Sequence, residues 1–441
     1  MEAPRRGERG SRLLRQGVLR ALAAANVHRP VHHDPLLTLP SFAASLVVGE
    51  QARSTLALWA VRSAIELRRS RRAGRLGVAD IAGLGLTAAA SGALLAAITT
   101  AQRSEEELHA ALSTLIGEAE LEARPRSDHA GAWLPWVDGR RDRRKTRGVV
   151  YADVGTHRLK LDVYEPVDPA PPGHVRPAIM QIHGGAWVVG SKDEQGVPLL
   201  NHLARNGWVG FNVEYRLSPS AKFPTHLQDC KRALAWIREH ADDYGIDPGF
   251  VAVTGGSAGG HLCALMALTA GDPHFQPGFE ATDTSVQAAV PFYGVYDLTD
   301  RDRDQIDRFV RFLEVVVMGS HPEQDPEGWA AYSPVDRVHP EAPPMMLLHG
   351  SNDVLVPVAG ARRFAALLRE VSRQPVVYAE LTGAQHAFDI VPSIRTVHTV
   401  EYVERFLHHL WVDHQSASAG GDSEGRTSSG YPSRSGPQGE D

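Results

Sequence analysis

The sequence predicts an α/β fold: a mostly parallel sheet of eight strands flanked by helices, with a helical, apolar extension ahead of it. Three observations carry this. From about 148 to 412, strand-like runs alternate with helical segments. One of those strands runs into a glycine-flanked serine and then a helix. Upstream, Ile81 to Gln102 carries no charge at all.

The strand-like runs are Val149–Val154, Leu159–Tyr164, Ala178–Ile182, Val209–Tyr215, Val251–Thr254, Ala288–Tyr293, Met345–Leu348 and Val376–Leu381. The first two flank Gly155-Thr156-His157 and read as an antiparallel hairpin. Helical patterns fall at Glu194–Asn206, Thr225–Tyr244, Ala258–Thr269, Ala359–Val371 and Ile394–Trp411. Helices of that length between strands imply parallel crossovers. Between the sixth and seventh strands, 298–340 is long enough for a short cap insertion.

Charge divides the chain. Residues 1–79 hold 14 Arg, no Lys and five acidic residues, or +9, so a net charge of −6 leaves −15 for the remainder. The mild overall acidity argues against nucleic acid as a partner. Two cysteines exclude a disulfide scaffold or a cysteine zinc cluster, and Cys230 and Cys263 read as buried helix thiols. Segment 1–110 is basic, apolar and helical. Within it 81–102 is long enough to cross a bilayer, but its Ala/Gly/Thr composition makes insertion marginal. Gly85, Ala89, Ala93 and Ala97 form a small-residue stripe for helix packing, and Ser41–Leu67 is the expected partner. The arginines at 68–75 orient a span at 81–102 with the later residues outside the cytoplasm. The competing expectation is a soluble hairpin packed on the body. Residues 111–147 read as a linker, and the Ser/Gly/Pro-rich 413–441 as a disordered tail.

The chemistry concentrates in four segments. Gly255-Gly256-Ser257-Ala258-Gly259 follows a strand and opens a helix, the setting in which a serine sits exposed on a strained turn as nucleophile. The helix start aims its amides at developing negative charge. His183-Gly184-Gly185-Ala186-Trp187 follows the third strand, where backbone donors for an oxyanion are expected. Gly184, Gly185 and Ala258 are assigned to that hole, and His183 to holding the loop. An acid and a base must follow the serine. Asp353 lies just past the seventh strand and His386 past the eighth. Asp297 and Asp300 are second choices for the acid, and Asp389 stands too near His386 in sequence. His261 reads as a packing residue. Trp187, Phe309 and Phe312 are candidate substrate contacts, although the apolar spacing of the last two also fits a helix buried on the sheet.

Taken together, HGGAW, the block Glu214-Tyr215-Arg216-Leu217-Ser218-Pro219, Phe223-Pro224, GGSAGGHL, HGSNDVLVP and GAQHAF resemble an α/β-hydrolase of the hormone-sensitive-lipase-like superfamily over 148–412. Ala186 stands where lipolytic members carry a third glycine, and Gly256 where they carry an acid. Those features are closer to the carboxylesterase and feruloyl-esterase-like branch, which also resembles arylformamidases. An apolar extension before such a domain is similar in organisation to some actinobacterial lipase/esterases. The resemblance implies serine-dependent hydrolysis of a small ester without metal or organic cofactor, and the shortness of the 298–340 insertion, too small for a large lid, points to acyl chains of short to medium length. An amide-hydrolysing enzyme and an inactive membrane scaffold are the alternatives.

Overall fold

The structure, a computed structural model, describes residues 7–32, 34, 36–72, 77–123, 143–306 and 308–424. Four long helices open the chain: α1 (Gly7–His28), α2 (Thr38–Glu50), α3 (Ala52–Arg72) and α4 (Val78–Leu112), followed by the short α5 (Glu118–Ala123). The hairpin β1 (Arg143–Val154) and β2 (His157–Pro166) comes next, then β3 (Arg176–Ile182), α6 (Val197–Arg205) and β4 (Val209–Val213). Helices α7 (Thr225–Glu239) and α8 (Ala241–Tyr244) lead to β5 (Ile246–Gly256), α9 (Ala258–Leu268) and β6 (Ala288–Phe292). The insertion holds α10 (Phe309–Phe312), a π-helical turn and α11 (Pro326–Ala331). Strand β7 (Met345–Gly350), α12 (Val358–Val371), β8 (Val376–Leu381) and α13 (Ile394–Glu424) complete it.

The strands form one sheet in the order β1-β2-β4-β3-β5-β6-β7-β8. Only the pairings made by β2 are antiparallel; from β4 to β8 every neighbour is parallel. All eight expected strands are present, with ends shifted by a few residues. The central strands β3 to β7 are buried almost throughout because helices cover both faces, which is why their sequences are continuous apolar runs. Cys230 and Cys263 are free and buried, as expected.

The N-terminal helices depart from expectation. Ser41–Leu67 is not one helix: α2 ends at Glu50 and α3 starts at Ala52. The break at Gln51 lets two side chains turn toward the body. Gln51 Nε2 donates to the Pro392 carbonyl at 2.8 Å, and Glu50 pairs with Arg395 at 2.7 Å. The buried stripe of α4 is Gly83, Thr87, Ala90, Leu94 and Ala97; of the expected stripe only Ala97 lies on it, while Gly85 and Ala89 are exposed and Ala93 is half-buried. A period of four drifts around a helix of 3.6 residues per turn, whereas alternating steps of three and four stay on one face. The main partner on that stripe is α1, and the expected partner 41–67 joins it through Ala52 and Trp59, which share a buried cluster with Ala90, Leu94 and Ala97. A Cβ on Gly83 would lie 2.3 Å from the Leu13 carbonyl, and one on Gly17 would lie 2.4 Å from the Gly83 carbonyl. The two helices run side by side in the same direction, with Arg20 donating to Thr87 Oγ1 at 3.2 Å and His28 meeting the Ala93 carbonyl at 2.9 Å.

The other half of α4 packs on the hydrolase part. Ser104 meets His398 of α13 at 3.1 Å, and Leu108 and Leu112 belong to the same buried cluster as Phe406 and Trp411. The expected linker 111–147 therefore contains the end of α4, α5, and buried Ile116 and Leu121; β1 begins at Arg143, and 124–142 lies outside the described residues. The expected disordered tail from 413 begins as a continuation of α13 to Glu424, and 425–441 lies outside the described residues.

The side chains of Glu50 and Arg395 are 3% and 4% exposed and tie α2 to α13. Removing one partner strands the other charge in a dry environment. Glu50→Ala is expected to lower stability by about 3 kcal/mol in urea unfolding. A loss under about 1 kcal/mol, as expected for the exposed Glu66–Arg69 pair, would show that the pair does not join the layers.

Candidate active site

Ser257 sits between the last residue of β5 and the first of α9, with φ 59° and ψ −120°. Its amide donates to the Phe292 carbonyl of β6 at 3.0 Å, which pins the turn to the neighbouring strand. The turn needs glycine because backbone crowds it: a Cβ on Gly259 would lie 2.1 Å from the Ile182 carbonyl. The side chain of Ser257 therefore stands at the C-terminal ends of β3, β5 and β6, where ligands gather in such sheets.

His386 lies on the loop after β8. Its Nδ1 is 2.6 Å from Asp353 Oδ2. Asp353 lies on the loop after β7, with its side chain fully buried. Its Oδ1 accepts the amides of Leu355 and Val356 at 2.9 and 2.8 Å, and its Oδ2 also lies 3.3 Å from His349 Nε2. Burial by itself would push this carboxyl up. The charge of His386 and hydrogen bonds from His349 and His386 outweigh it and hold Asp353 well below the usual carboxylate range. The second choices lie elsewhere. Asp297 pairs with Arg301, and Asp300 caps the amides of Asp304 and Gln305. Asp389 accepts from the Tyr293 hydroxyl rather than meeting His386.

Ser257 and His386 line one cavity of about 620 Å³, with Trp187, Phe309 and Phe312 in its wall. In the insertion, Phe309 and Phe312 line the cavity and also pack against the core, in which Leu313 and Val317 are buried. Trp187 is nearly buried and meets the ring of His261 edge-on at 5.2 Å. His261 packs as expected, 2.8 Å from the Tyr332 carbonyl. His183 is buried, stacks on Tyr215 at 4.5 Å and lies 2.8 Å from the Gly184 carbonyl, so it holds the loop. Burial lowers its pKa.

One assignment must move. The Gly184 amide donates to Gln195 Oε1 at 2.7 Å and is not free for an oxyanion. Gly185 and Ala186, at φ 114° and 51°, both line the cavity, and their amides meet no acceptor among the described residues. The sequence motif fixed the loop but not which of its amides an intramolecular acceptor would take.

Sequence reasoning also missed a contribution from α2. Phe42 sets its ring edge-on to His386 at 6.1 Å, and Leu39 joins Phe42 in the cavity wall. Gln385 Oε1 accepts the amides of His386 and Val354, at 2.8 and 3.0 Å, and its Nε2 donates to Ser45 of α2 at 2.9 Å. One side chain thus joins the histidine loop, the aspartate loop and the N-terminal helices. Gln385 stood beside the histidine in sequence, but Ser45 is 340 residues away and carried no motif.

An eight-stranded, mostly parallel sheet with these residues gathered at one end defines an α/β-hydrolase. Comparison narrows the class. The BD-FAE family matches residues 161–368. The probable carboxylic ester hydrolase LipM of Mycobacterium tuberculosis is 40% identical over 418 residues, covering 91% of this chain and 94% of that one. Esterase LipQ of the same organism is 41% identical over 331 residues, 73% of this chain and 78% of that one. The butyrate-bound structure of Thermogutta terrifontis Est2 superposes with a TM-score of 0.51 at 29% identity, over 61% of this chain and 94% of that one. The chain belongs to the hormone-sensitive-lipase-like carboxylesterases, and it is a carboxylic ester hydrolase.

The depressed Asp353 carboxyl makes a prediction. A group whose pKa falls on folding contributes stability that is full above its unfolded value, about 4, and is lost as pH falls toward the folded one. Asp353→Asn is expected to flatten the decline in unfolding free energy below about pH 4. Parallel acid limbs in variant and parent would show that Asp353 is not held this way.

Proposed function

We propose that the chain hydrolyses carboxylic esters through Ser257, His386 and Asp353, with the amides of Gly185, Ala186 and Ala258 as the oxyanion hole. The observation that carries the reading is His386, held by the buried Asp353 at 2.6 Å and opening into the cavity that also contains Ser257.

In this reading His386 Nε2 takes the Ser257 proton as Oγ attacks the ester carbonyl. Asp353 holds the proton on Nδ1 and stabilises the imidazolium that forms. Negative charge builds on the carbonyl oxygen, which the loop amides and the first amide of α9 would stabilise. The imidazolium then protonates the departing alcohol, leaving an acyl-serine. Water, deprotonated by His386, attacks that ester and frees the acid, and the serine recovers its proton.

Beside this machinery the cavity wall is mostly apolar, with Gln195 and Arg308 as its other polar members, and its volume lies within the usual range for small-molecule sites. Its wall of Phe42, Trp187, Phe309 and Phe312 favours a hydrocarbon acyl or alcohol group. Short to medium acyl chains are proposed, in keeping with the butyrate that the Thermogutta enzyme accommodates. Helix α4 is long and apolar enough to cross a membrane. We further propose that the enzyme associates with membranes through its N-terminal helices.

Ser257→Ala is expected to abolish p-nitrophenyl butyrate hydrolysis in a protein that still folds, and Asp353→Asn to lower kcat by roughly 10⁴. Parent-like turnover in Ser257→Ala would remove the serine from the mechanism. Along a p-nitrophenyl series from C2 to C16, kcat/KM is expected to peak between C4 and C8. A maximum at C14 or beyond would overturn the chain-length assignment.

A further inference from the structure

The outer surface of the N-terminal helices is unusual in composition. Helix α3 turns Ala52, Trp59 and Ser63 inward, where Ser63 accepts from Arg20 at 2.7 Å. Its solvent side is the apolar one: Leu58, Val61 and Ile65 are 50%, 57% and 44% exposed at helical spacing. Between 57 and 72 every exposed residue is alanine, leucine, valine, isoleucine or arginine. Helix α4 adds an uncharged flank, with Ile81 and Leu95 61% and 56% exposed, and only 22% of its most apolar window is buried.

Charge is just as one-sided. Among the described residues from 12 to 98, eight arginines are exposed and no carboxylate is. The carboxylates there are turned to structural use. Glu50 pairs with Arg395, Glu66 with Arg69, Asp80 accepts the Gly77 amide, and Asp34 accepts those of Leu36 and Leu37. Exposed aliphatic side chains beside arginines that outnumber the nearby carboxylates match an interface with anionic lipid headgroups.

A crossing geometry fits less well. Helix α4 cannot cross alone, because α1 packs along its apolar window at the Gly83–Leu13 contact. Helix α1 would have to enter with it, bringing exposed Arg12 and Arg15, while α3 would bring Arg62. Each exposed arginine in hydrocarbon is costly. Lying flat lets the arginines reach headgroups while the aliphatic groups enter the acyl boundary.

We propose that α1, α3 and α4 form an in-plane docking face for an anionic bilayer, and that this face holds the mouth of the active-site cavity against the lipid surface. Leu39 of α2, the helix that leads into α3, is 64% exposed and lines the cavity, so an exposed apolar side chain stands at its mouth. The face rests on the membrane association proposed above and adds its geometry, which replaces a single span at 81–102. Esters dissolved in the leaflet then reach Ser257 along an apolar path.

The test is sedimentation of the full chain with phosphatidylglycerol or phosphatidylcholine vesicles, followed by alkaline carbonate extraction, with p-nitrophenyl butyrate turnover measured alongside. The expected result is binding at least tenfold tighter to phosphatidylglycerol, released by carbonate. The Leu58→Asp/Val61→Asp/Ile65→Asp variant should lose at least tenfold in vesicle affinity with unchanged turnover. Carbonate-resistant protein would overturn the in-plane geometry while leaving membrane association standing. Absence of vesicle binding would overturn both, and a change from dimer to monomer in the triple variant would identify the face as a self-association surface instead. Turnover reads the esterase assignment independently of all three.

Discussion

The buried carboxylate of Asp353 sets the terms for its surroundings. An ionised group with no exposed side-chain surface must have its oxygens satisfied by protein. Two amides of its own loop and two histidines do this, one from the strand before it and one from the loop after β8. That requirement fixes the loop's shape, and the loop's shape fixes where His386 stands. Gln385 extends the constraint, because its single carbonyl oxygen holds both loops and its amide reaches α2. The order of the site thus spreads outward from one charge to the first fifty residues of the chain.

Much of this was legible in sequence. The eight strands could be read because central parallel strands are continuous apolar runs bounded by turn residues, as in Ala178–Ile182 and Met345–Leu348. Ser257, Asp353 and His386 could be placed because each follows a strand's C-terminal end in an order the chemistry dictates. What was not legible depended on distance or on competition for a single atom. No periodicity announces that Gln195 takes the Gly184 amide, eleven residues away. Nor does any local pattern tell Ser45 or Phe42 that they will meet a loop more than three hundred residues later. On α4 small residues occupy more than one face, so their identity does not single out the buried stripe and only the helical period decides it.

The comparisons fall along the same boundary. The Thermogutta enzyme covers 61% of the chain, whereas LipM covers 91%, a share that cannot be reached without most of the N-terminal helices. Those helices supply part of the cavity wall and one end of the Gln385 bridge. In this chain the extension is therefore part of the site's walls, and LipM shares most of its length.

The pairing of Glu50 with Arg395 has a consequence in time as well as in space. The two residues are 345 positions apart, so Glu50 leaves the ribosome roughly 20 to 70 s before its partner exists, at about 5–20 residues per second. For that interval α2 has no α13 to lie on and the histidine loop has not been made. The nascent N-terminal helices must wait with their inner surfaces open, and their pairing through Gly17 and Gly83 gives them something local to do meanwhile. Assembly of the active site is therefore among the last events in the life of the new chain, closed by a residue near one end finding a residue near the other.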